Sequence, residues 1–404
     1  MKHPNKRARR ACVPVFLAGL VLCCAPVLGA QESILLSYQR NFVRANLATK
    51  AGILRDAATD ERASDFIGPL YEYALGFCLQ QSDFLRDDPD MIALAVLASA
   101  GVKNAGYRPS VDTLWKLFQS YRDSLIRVEI LRSLGVLGKD NVQVIENLNQ
   151  FLANQNNVFR SGMAPDYPTL SACINALSTL GDGSSFPVLF STMVAAYPES
   201  IRNGARTALG SLSGDYRSFL IMVIQRNPPS EKLTAFNAAR ENSRFGPADM
   251  GEIAETGLRV SLDLFPSNPE GEAAIQTLRF SSARLLGSLR WTKAVDALIK
   301  HFYRVQTDYN NGRAAKAQFI EAVSCLGAMD SDQAAQTLAL QLGLFNSQME
   351  RTGEYDADIL TGVINALGEL GDKIAFDYLL YIGYLGYPEE VQSAARDALN
   401  RLKW

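Results

Sequence analysis

Apolar residues recur along this chain at the three- and four-residue spacing of amphipathic helices. In residues 170–212, one such stripe consists of Leu170, Ile174, Leu177 and Leu180. Gly181 follows directly, as glycine often does after the last turn of a helix. Asp182 is placed to cap the next helix, and a Tyr-Pro-Glu sequence at residues 197–199 ends that helix and begins another. The pattern predicts an all-α chain of helices joined by short turns.

This pattern occurs twice. Residues 170–212 and 360–402 align without a gap and are identical at 18 of 43 positions, whereas ordinary composition gives roughly 6 %. Residues 111–118 and 295–302 share five of eight positions. Helices with an Ala-Leu-Gly-x-Leu-like sequence each contain one leucine-type residue that we predict to be buried, and we call it the anchor. The anchors are spaced 37, 43 and 32 residues apart in the first copy and 37, 44 and 32 in the second. The anchors are Leu97, Leu134, Leu177 and Leu209, then Leu286, Val323, Leu367 and Leu399. We therefore predict a duplicated block of about 190 residues.

The helix sequences resemble HEAT repeats. The resemblance rests on Arg202-x-x-Ala205-x-x-Ala208-Leu209-Gly210-x-Leu212 and on Arg127-x-x-Ile130-x-x-Ser133-Leu134-Gly135-x-Leu137-Gly138. The chain looks most like the short HEAT-like repeat of bilin-lyase-like proteins, and the likeness covers most of residues 90–404. It implies an armadillo-like, right-handed α/α superhelix, a solenoid of about ten helical hairpins. The family often carries a ladder of charge contacts between repeats, but Gln392 stands where Arg202 stands in the first copy, which interrupts such a ladder.

Residues 1–30 have the pattern of a secretory signal peptide. Five basic residues precede an apolar run from Ala11 to Leu22, which is shorter than the roughly 20 residues that span a bilayer. We predict cleavage after Ala30 and a periplasmic or secreted protein without a transmembrane helix. The alternative is a lipoprotein signal, with acylation of Cys24 giving a lipid-anchored envelope protein. The mature chain then divides into two continuous HEAT-like halves, residues 31–215 and 216–404.

Charge and cysteine content exclude several classes of protein. Removal of residues 1–30 leaves 35 Lys and Arg against 42 Asp and Glu, a formal net charge of −7. Such a chain does not attract nucleic-acid phosphates as a basic stripe does, so we predict no nucleic-acid partner. Three cysteines remain, Cys78, Cys173 and Cys325. Each lies among apolar residues of a predicted helix, which favours small buried side chains over disulfides or metal ligands.

The sequence offers little that suggests catalysis. His301 is the one histidine after residue 30, and it occupies the position that Leu117 has in the first copy, which indicates a packing or surface role. No phosphate-binding loop or nucleophile elbow is present. An acidic cluster at residues 83–90 does not fit a calcium loop and suggests a solvated helix boundary. We therefore predict no catalytic, cofactor-binding or metal site and no enzyme; a lyase-like activity rests on family analogy alone.

Polar residues recur two positions before each anchor, on the face away from the apolar stripe. This polar row consists of Arg132, Asn175, Thr207, Arg284, Glu321, Asn365 and Asp397, with Glu369 and Arg401 one turn onward. In stacked repeats such a row lines one surface, often the concave one, where partners dock. A merely solvated face is the alternative.

Two further features are candidates for partner binding. A tyrosine stripe consists of Tyr378, Tyr381 and Tyr384, whose counterparts in the first copy are Val188, Ser191 and Val194. It suits either an interface, where tyrosine is enriched, or an end cap of the stack. The connections at residues 101–110 and 306–313 each exceed their counterparts by five residues, so they are predicted recognition loops, with neutral length drift as the alternative.

These observations predict an exported, non-enzymatic HEAT-repeat scaffold that binds a protein or peptide partner in the cell envelope. One alternative is a permanent structural component of an envelope machine. A lyase-like enzyme is the other.

Overall fold

The computed structural model describes the backbone of residues 25–403 and the side chains of residues 34–403. Within this range the chain is all-α, as predicted, with 21 α-helices and six short 3₁₀ helices. The described residues contain no β-strand, although one isolated bridge joins Asp372 and Lys403. Most of the predicted signal segment, with Cys24, lies outside the described residues, and its last six residues, 25–30, belong to the first helix. Packing divides the chain into two compact units that meet at residues 180 and 181.

In the first unit, alternate helices pack side by side. Helices α3, α5, α7 and α9 form one layer, and α6 and α8 pack against it. The helices are α1 (Ala25–Arg44), α2 (Leu47–Thr59), α3 (Ile67–Gln80), α4 (Ser82–Leu85), α5 (Pro89–Asn104), α6 (Val111–Ser120), α7 (Ser124–Leu137), α8 (Val142–Arg160) and α9 (Tyr167–Leu180). Asp88 and Asp123 cap α5 and α7 by accepting backbone N–H groups of the first turn. The acidic cluster around Asp88 is thus a helix boundary.

The second unit is a two-layer array. Helices α13, α15, α17, α19 and α21 pack successively in one layer, α12, α14, α16, α18 and α20 in the other, and each of the latter packs on the helix that follows it. The helices are α10 (Phe186–Val194), α11 (Glu199–Ser211), α12 (Tyr216–Arg226), α13 (Pro229–Glu241), α14 (Pro247–Asp263), α15 (Pro269–Leu289), α16 (Val295–Asn310), α17 (Lys316–Gly327), α18 (Asp332–Thr352), α19 (Ala357–Leu370), α20 (Phe376–Tyr381) and α21 (Glu389–Leu399).

Glycine residues near the anchors allow neighbouring helices of one layer to approach closely. A Cβ placed on Gly135 of α7 would lie 2.9 Å from the Cα of Ala176 on α9. A Cβ on Gly327 of α17 would lie 2.5 Å from the Cβ of Ala366 on α19. Such separations are shorter than van der Waals contact, so a larger residue would force the helices apart. At Gly135 and Gly327 the backbones of neighbouring helices therefore come into close contact.

Residues 167–213 and 357–403 have the same order of α-helices, and each of these helices begins at the equivalent position. The two segments contain α9, α10 and α11, and α19, α20 and α21, and each has a 3₁₀ turn after its first helix. Both first helices are followed by glycine in the left-handed region, with φ of 67° at Gly181 and at Gly371. The carbonyl of Gly181 accepts the Ser213 amide at 2.9 Å, and that of Gly371 accepts the Lys403 amide at 2.7 Å.

Several details differ from the sequence-based expectations. Leu97, Leu209 and Leu399 are half-buried instead of fully buried anchors, because they lie at the edge of the apolar face. The segment 306–313 is not mainly a loop: α16 continues to Asn310, and only Asn311 and the residues after it form the turn. The two compact units divide at residues 180 and 181, whereas the boundary between the two copies, at residue 215, stays a prediction from the repetition.

Candidate partner-binding surfaces

An apolar groove lies between α5 and α7 of the first unit, with Pro168 of α9 at one side. Its volume is about 690 Å³. The apolar lining comes from Pro89, Ile92, Ala93 and Val96 of α5 and from Leu125 and Val128 of α7. We call it the α5–α7 groove. Leu125 is 68 % exposed, so the groove presents apolar surface directly to solvent.

The outward face of α7 explains why this surface is apolar. Residues 125, 128, 132 and 136 follow one another at helical spacing along that face. Three of them are apolar, and Leu125 and Val136 are largely exposed. The opposite face of α7 holds Ile126, Ile130 and Leu134 in the core. The helix therefore has two apolar stripes, and only one of them is used for packing within the unit.

Charged residues border the groove at Arg132. Glu129 lies beside it and accepts Lys103 Nζ at 2.5 Å, while one Nη atom of Arg132 lies 3.4 Å from the second Glu129 oxygen. The Arg132 side chain is 63 % exposed. Because Lys103 already neutralises Glu129 at the shorter distance, the Arg132 guanidinium retains donors for an incoming carboxylate or carbonyl.

In the second unit the corresponding helix faces are polar. Arg284 of α15 and Glu321 of α17 form an ion pair at 2.8 Å, and Arg290 and Glu369 form another at 2.9 Å. The first ion pair joins α15 to α17, and the second joins the residue after α15 to α19, all in the same layer. In the second unit, residues of the polar row therefore form contacts between helices. Asn365 lies exposed on the intervening surface of α19. Surface pairs of this kind contribute little stability, typically less than about 1 kcal/mol.

The other members of the polar row also have exposed side chains. They are Asn175, Thr207, Asp397 and Arg401. Asn175 lies on α9, whose exposed face is polar where that of α7 is apolar. The structure therefore shows no continuous ladder from these four residues, and their role in binding stays a prediction.

The tyrosine stripe divides into packed and exposed members. Tyr378 is half-buried, and its ring covers Gly343 of α18. The Tyr381 hydroxyl donates to Glu350 of α18, yet the side chain remains 41 % exposed. Tyr384 is 77 % exposed. Tyr378 thus packs within the unit, while Tyr381 and Tyr384 offer aromatic surface.

Three exposed leucines lie on the same pair of helices, α18 and α20. Leu340 and Leu344 lie one turn apart on α18 and are 50 % and 63 % exposed, and Leu380 of α20 is 39 % exposed. We call Leu340, Leu344, Leu380, Tyr381 and Tyr384 the α18–α20 surface. Exposed apolar side chains gathered on two adjacent helices are typical of interaction surfaces.

The lone histidine of the described chain is buried. His301 is 1 % exposed, and neither ring nitrogen has a hydrogen-bond partner. Burial, and then the nearby Arg279 and Arg304 guanidinium groups, lower the pKa of His301 to about 3. A neutral imidazole without access to solvent cannot exchange protons with a substrate. Of the packing and surface roles that the sequence left open, burial favours packing.

The cysteines are buried free thiols, as expected. Cys78, Cys173 and Cys325 form no disulfide with each other. Burial raises the pKa of Cys78 and of Cys325 to about 12, so both remain protonated and unreactive at neutral pH. Over residues 25–403, no group of three or more His, Cys, Asp or Glu side chains is arranged to hold a metal ion. The same residues include no helix with the length and apolar character needed to cross a membrane.

The polar row predicted from the sequence includes Arg132 but not Leu125 and Val128, the apolar residues of the α5–α7 groove on the same face of α7. The helical spacing of Leu125 and Val128 could have predicted this apolar surface. A helix with two apolar stripes has more apolar surface than one neighbouring layer can cover.

Comparisons with known proteins give no family for this chain. No protein-family model matches the sequence, and no curated protein matches it either. Among solved structures, one match is the crystal complex of SYS-1/POP-1, at 11 % identity and with a TM-score of 0.24. The match covers 92 % of this chain and 78 % of the other. A TM-score of this size does not establish a shared fold, so no structural or functional conclusion is taken from it.

Proposed function

We propose that this protein is an exported, non-enzymatic helical-repeat scaffold that binds a protein or peptide partner. The observation that carries the proposal is the α5–α7 groove. It combines solvent-exposed apolar lining with a partly free guanidinium at Arg132. Protein interfaces commonly pair a central apolar anchor with a polar rim that fixes orientation.

The occupant that fits this groove is a helical or extended segment with apolar side chains and one carboxylate. Its apolar side chains would cover Leu125 and Val128, and its carboxylate would pair with Arg132. Grooves between two helices accept an apolar stripe in this manner. Exposed apolar surface on α18 and α20 is a second place where a large partner would gain contact area.

The solenoid and duplication are part of this proposal. Alternate helices of each unit pack in a layer, which is the arrangement that stacked HEAT-like hairpins require. The equivalent backbone hydrogen bonds of Ser213 and Lys403 support the duplication of residues 167–213 as residues 357–403. In such stacks each hairpin buries its apolar face only against its neighbours, which leaves long helix faces for partners.

The test compares two matched surface variants of the full chain produced by its own source. Leu125→Glu and Val142→Glu both add a carboxylate to the first turn of a helix in the first unit. Both parent residues are about two-thirds exposed, at 68 % and 67 %, and an acid is favourable near a helix N-terminus. Each variant should therefore fold, and only Leu125→Glu alters the groove.

A photo-crosslinking residue at Val128 would be used to capture the partner in envelope extracts, followed by mass spectrometry. We expect one dominant protein adduct that the Leu125→Glu change abolishes and the Val142→Glu change retains. Equal capture by both variants would refute binding in the groove. Turnover of a small molecule by the same preparation would favour a lyase-like enzyme, and co-sedimentation with a large particle would favour a permanent machine component.

Export is the remaining part of the proposal, and it rests on residues 1–30 alone. Mass spectrometry of the mature N-terminus distinguishes its two forms. A chain beginning at Gln31 indicates a periplasmic or secreted protein, whereas an acylated chain beginning at Cys24 indicates a lipid-anchored one. An intact Met1 terminus in the cytosolic fraction would contradict both.

A further inference from the structure

A second cavity lies in the other unit, where the connection between α14 and α15 meets α16. Its volume is about 760 Å³. Four basic side chains line it: Arg279 of α15, Lys300 and Arg304 of α16, and Arg313 in the turn after α16. We call this cavity the Arg279 pocket. It shares no residue with the polar row or with the α18–α20 surface, and the predicted recognition segment 306–313 supplies part of its lining.

Arg279 is an unusual residue in this pocket because its charge is buried. The residue is 4 % exposed, and its Nη1 atom has no hydrogen-bond partner. Its Nη2 atom lies 3.6 Å from a carboxylate oxygen of Asp308. Buried charged donors are normally paired, since an unpaired one keeps the full cost of its desolvation. Arg279 therefore provides a charged donor that the surrounding residues satisfy only in part.

The other basic residues also retain donors. Arg304 donates to the backbone carbonyl of Leu262 at 3.1 Å, and its guanidinium lies 4.6 Å from the centre of the Phe265 ring. Neither contact neutralises its charge. Asp308 accepts Arg313 at 2.9 Å and so serves two arginines at once. Lys300, one helical turn before Arg304, is exposed on the same side of α16.

One side of the pocket is apolar. The connection after α14 contributes Leu264, Phe265 and Pro266, and Phe265 is 75 % exposed. Ile275 of α15 also lines the pocket. A ligand in this pocket would therefore meet a hydrophobic wall next to the cationic groups.

We propose that the Arg279 pocket binds a carboxylate carried beside an apolar group. Guanidinium groups match the two oxygens of a carboxylate with parallel hydrogen bonds. Three acidic residues, Asp263, Glu272 and Asp308, also line the pocket, and they would repel a doubly charged phosphate more strongly than a singly charged carboxylate. The ligand's apolar group would lie against Phe265.

The pocket belongs to the part of the chain in which the two copies differ. Asp308 and Arg313 lie in the segment 306–313, which belongs to a connection that is longer here than in the first copy. Helix α16 also extends beyond the end of its counterpart, α6. The segment 306–313, which the sequence predicted to be a recognition loop, therefore contributes charged side chains to the proposed carboxylate-binding pocket. The site is independent of the α5–α7 groove, so either proposal can fail without the other.

Two sources supply this chemistry, a peptide chain end and a small free acid, and the test separates them. Isothermal titration calorimetry on the full mature protein would use a pentapeptide ending in Phe, the same peptide with a C-terminal amide, and N-acetylphenylalanine. We expect the free-acid peptide to bind at least about 10-fold more tightly than the amide, as loss of a charged hydrogen-bond pair implies. Binding of N-acetylphenylalanine as well would identify a small acid as sufficient, and its failure would assign the site to chain ends.

Variants test the location. Arg304→Gln should weaken the free-acid peptide by about 10-fold or more, and Lys300→Gln should weaken it less because Lys300 is exposed. Arg290→Gln, which removes a surface charge of the same unit outside the pocket, should have no effect. Circular dichroism would verify that each variant is folded. No binding at millimolar concentration, equal binding of acid and amide, equal losses in Arg304→Gln and Arg290→Gln, or displacement by inorganic phosphate at lower concentration than by acetate would each overturn the proposal.

Discussion

Replacement of His301 by leucine gives the sharpest test of how the second unit is packed. The imidazole is buried with both nitrogens unpartnered, and its edge packs against Phe280 with ring centroids 5.1 Å apart. Leucine has a similar volume and occupies the equivalent position, Leu117, in the first copy, where it is fully buried. Removal of an unsatisfied buried polar group should stabilise the unit by about 1–3 kcal/mol at neutral pH.

The pH dependence follows from the lowered pKa. The folded-state pKa of His301 is about 3, whereas an unfolded histidine titrates near pH ~6.5. Between these values the unfolded chain binds a proton that the folded chain does not. The parent protein should therefore lose roughly 1 kcal/mol of stability for each pH unit below about 6.5. The positive charges of Arg279 and Arg304 oppose protonation of the ring in the folded protein. The folded-state pKa of His301 therefore stays below the unfolded-state pKa, and stability continues to fall as the pH is lowered.

The assay is hydrogen exchange of α16 peptides, combined with urea unfolding, at several pH values from 7.5 to 5. The local measurement is needed because two compact units do not have to unfold together. We expect the stability difference between His301→Leu and the parent to widen as the pH falls. Leu117→His is the reciprocal control and should introduce the same pH dependence into the first unit. Parallel pH profiles of His301→Leu and the parent would refute the reasoning.

Three further outcomes are expected. Gly327→Ala should destabilise the second unit by about 1–3 kcal/mol because its Cβ would lie 2.5 Å from that of Ala366; Gly210→Ala, a helical site with no neighbour within 4 Å, should be neutral or stabilising in the same urea titration. Arg284→Gln should change stability by less than about 1 kcal/mol, since its pair with Glu321 is at the surface; a larger loss would show that the pair joins the helices energetically. The three buried cysteine thiols should react with a thiol reagent only as the protein unfolds, and fast labelling at pH 7 would contradict their burial.

Local features of the fold were predictable because they depend on neighbours in the chain. Apolar spacing, glycine after the last turn and acidic caps act within one or two helical turns. Helix α9 ends at Leu180 and is followed by Gly181 with φ of 67°, as its sequence predicted. The continuation of α16 through residues 306–310 was missed, because a longer connection does not reveal whether its added residues are helical.

The candidate sites depended on contacts between distant residues, and the sequence predicted them only in part. Arg132 was found from its position in a repeat, but the groove beside it exists because α5 and α7 pack in one layer and leave Leu125 uncovered. Tyr378 was a candidate for partner binding, yet the small size of Gly343 on another helix lets its ring pack inward.

The amino-acid sequence by itself determined that the chain is all-α, that α9 ends before Gly181, and that Cys78, Cys173 and Cys325 are buried. These properties follow from periodicity and composition, which act along the chain. The tertiary structure alone decided which apolar stripe of α7 stays exposed and that Arg279 is buried with an unpaired donor. Those outcomes depend on which helix faces meet across the layers, and burial of a side chain is set by its neighbours in space.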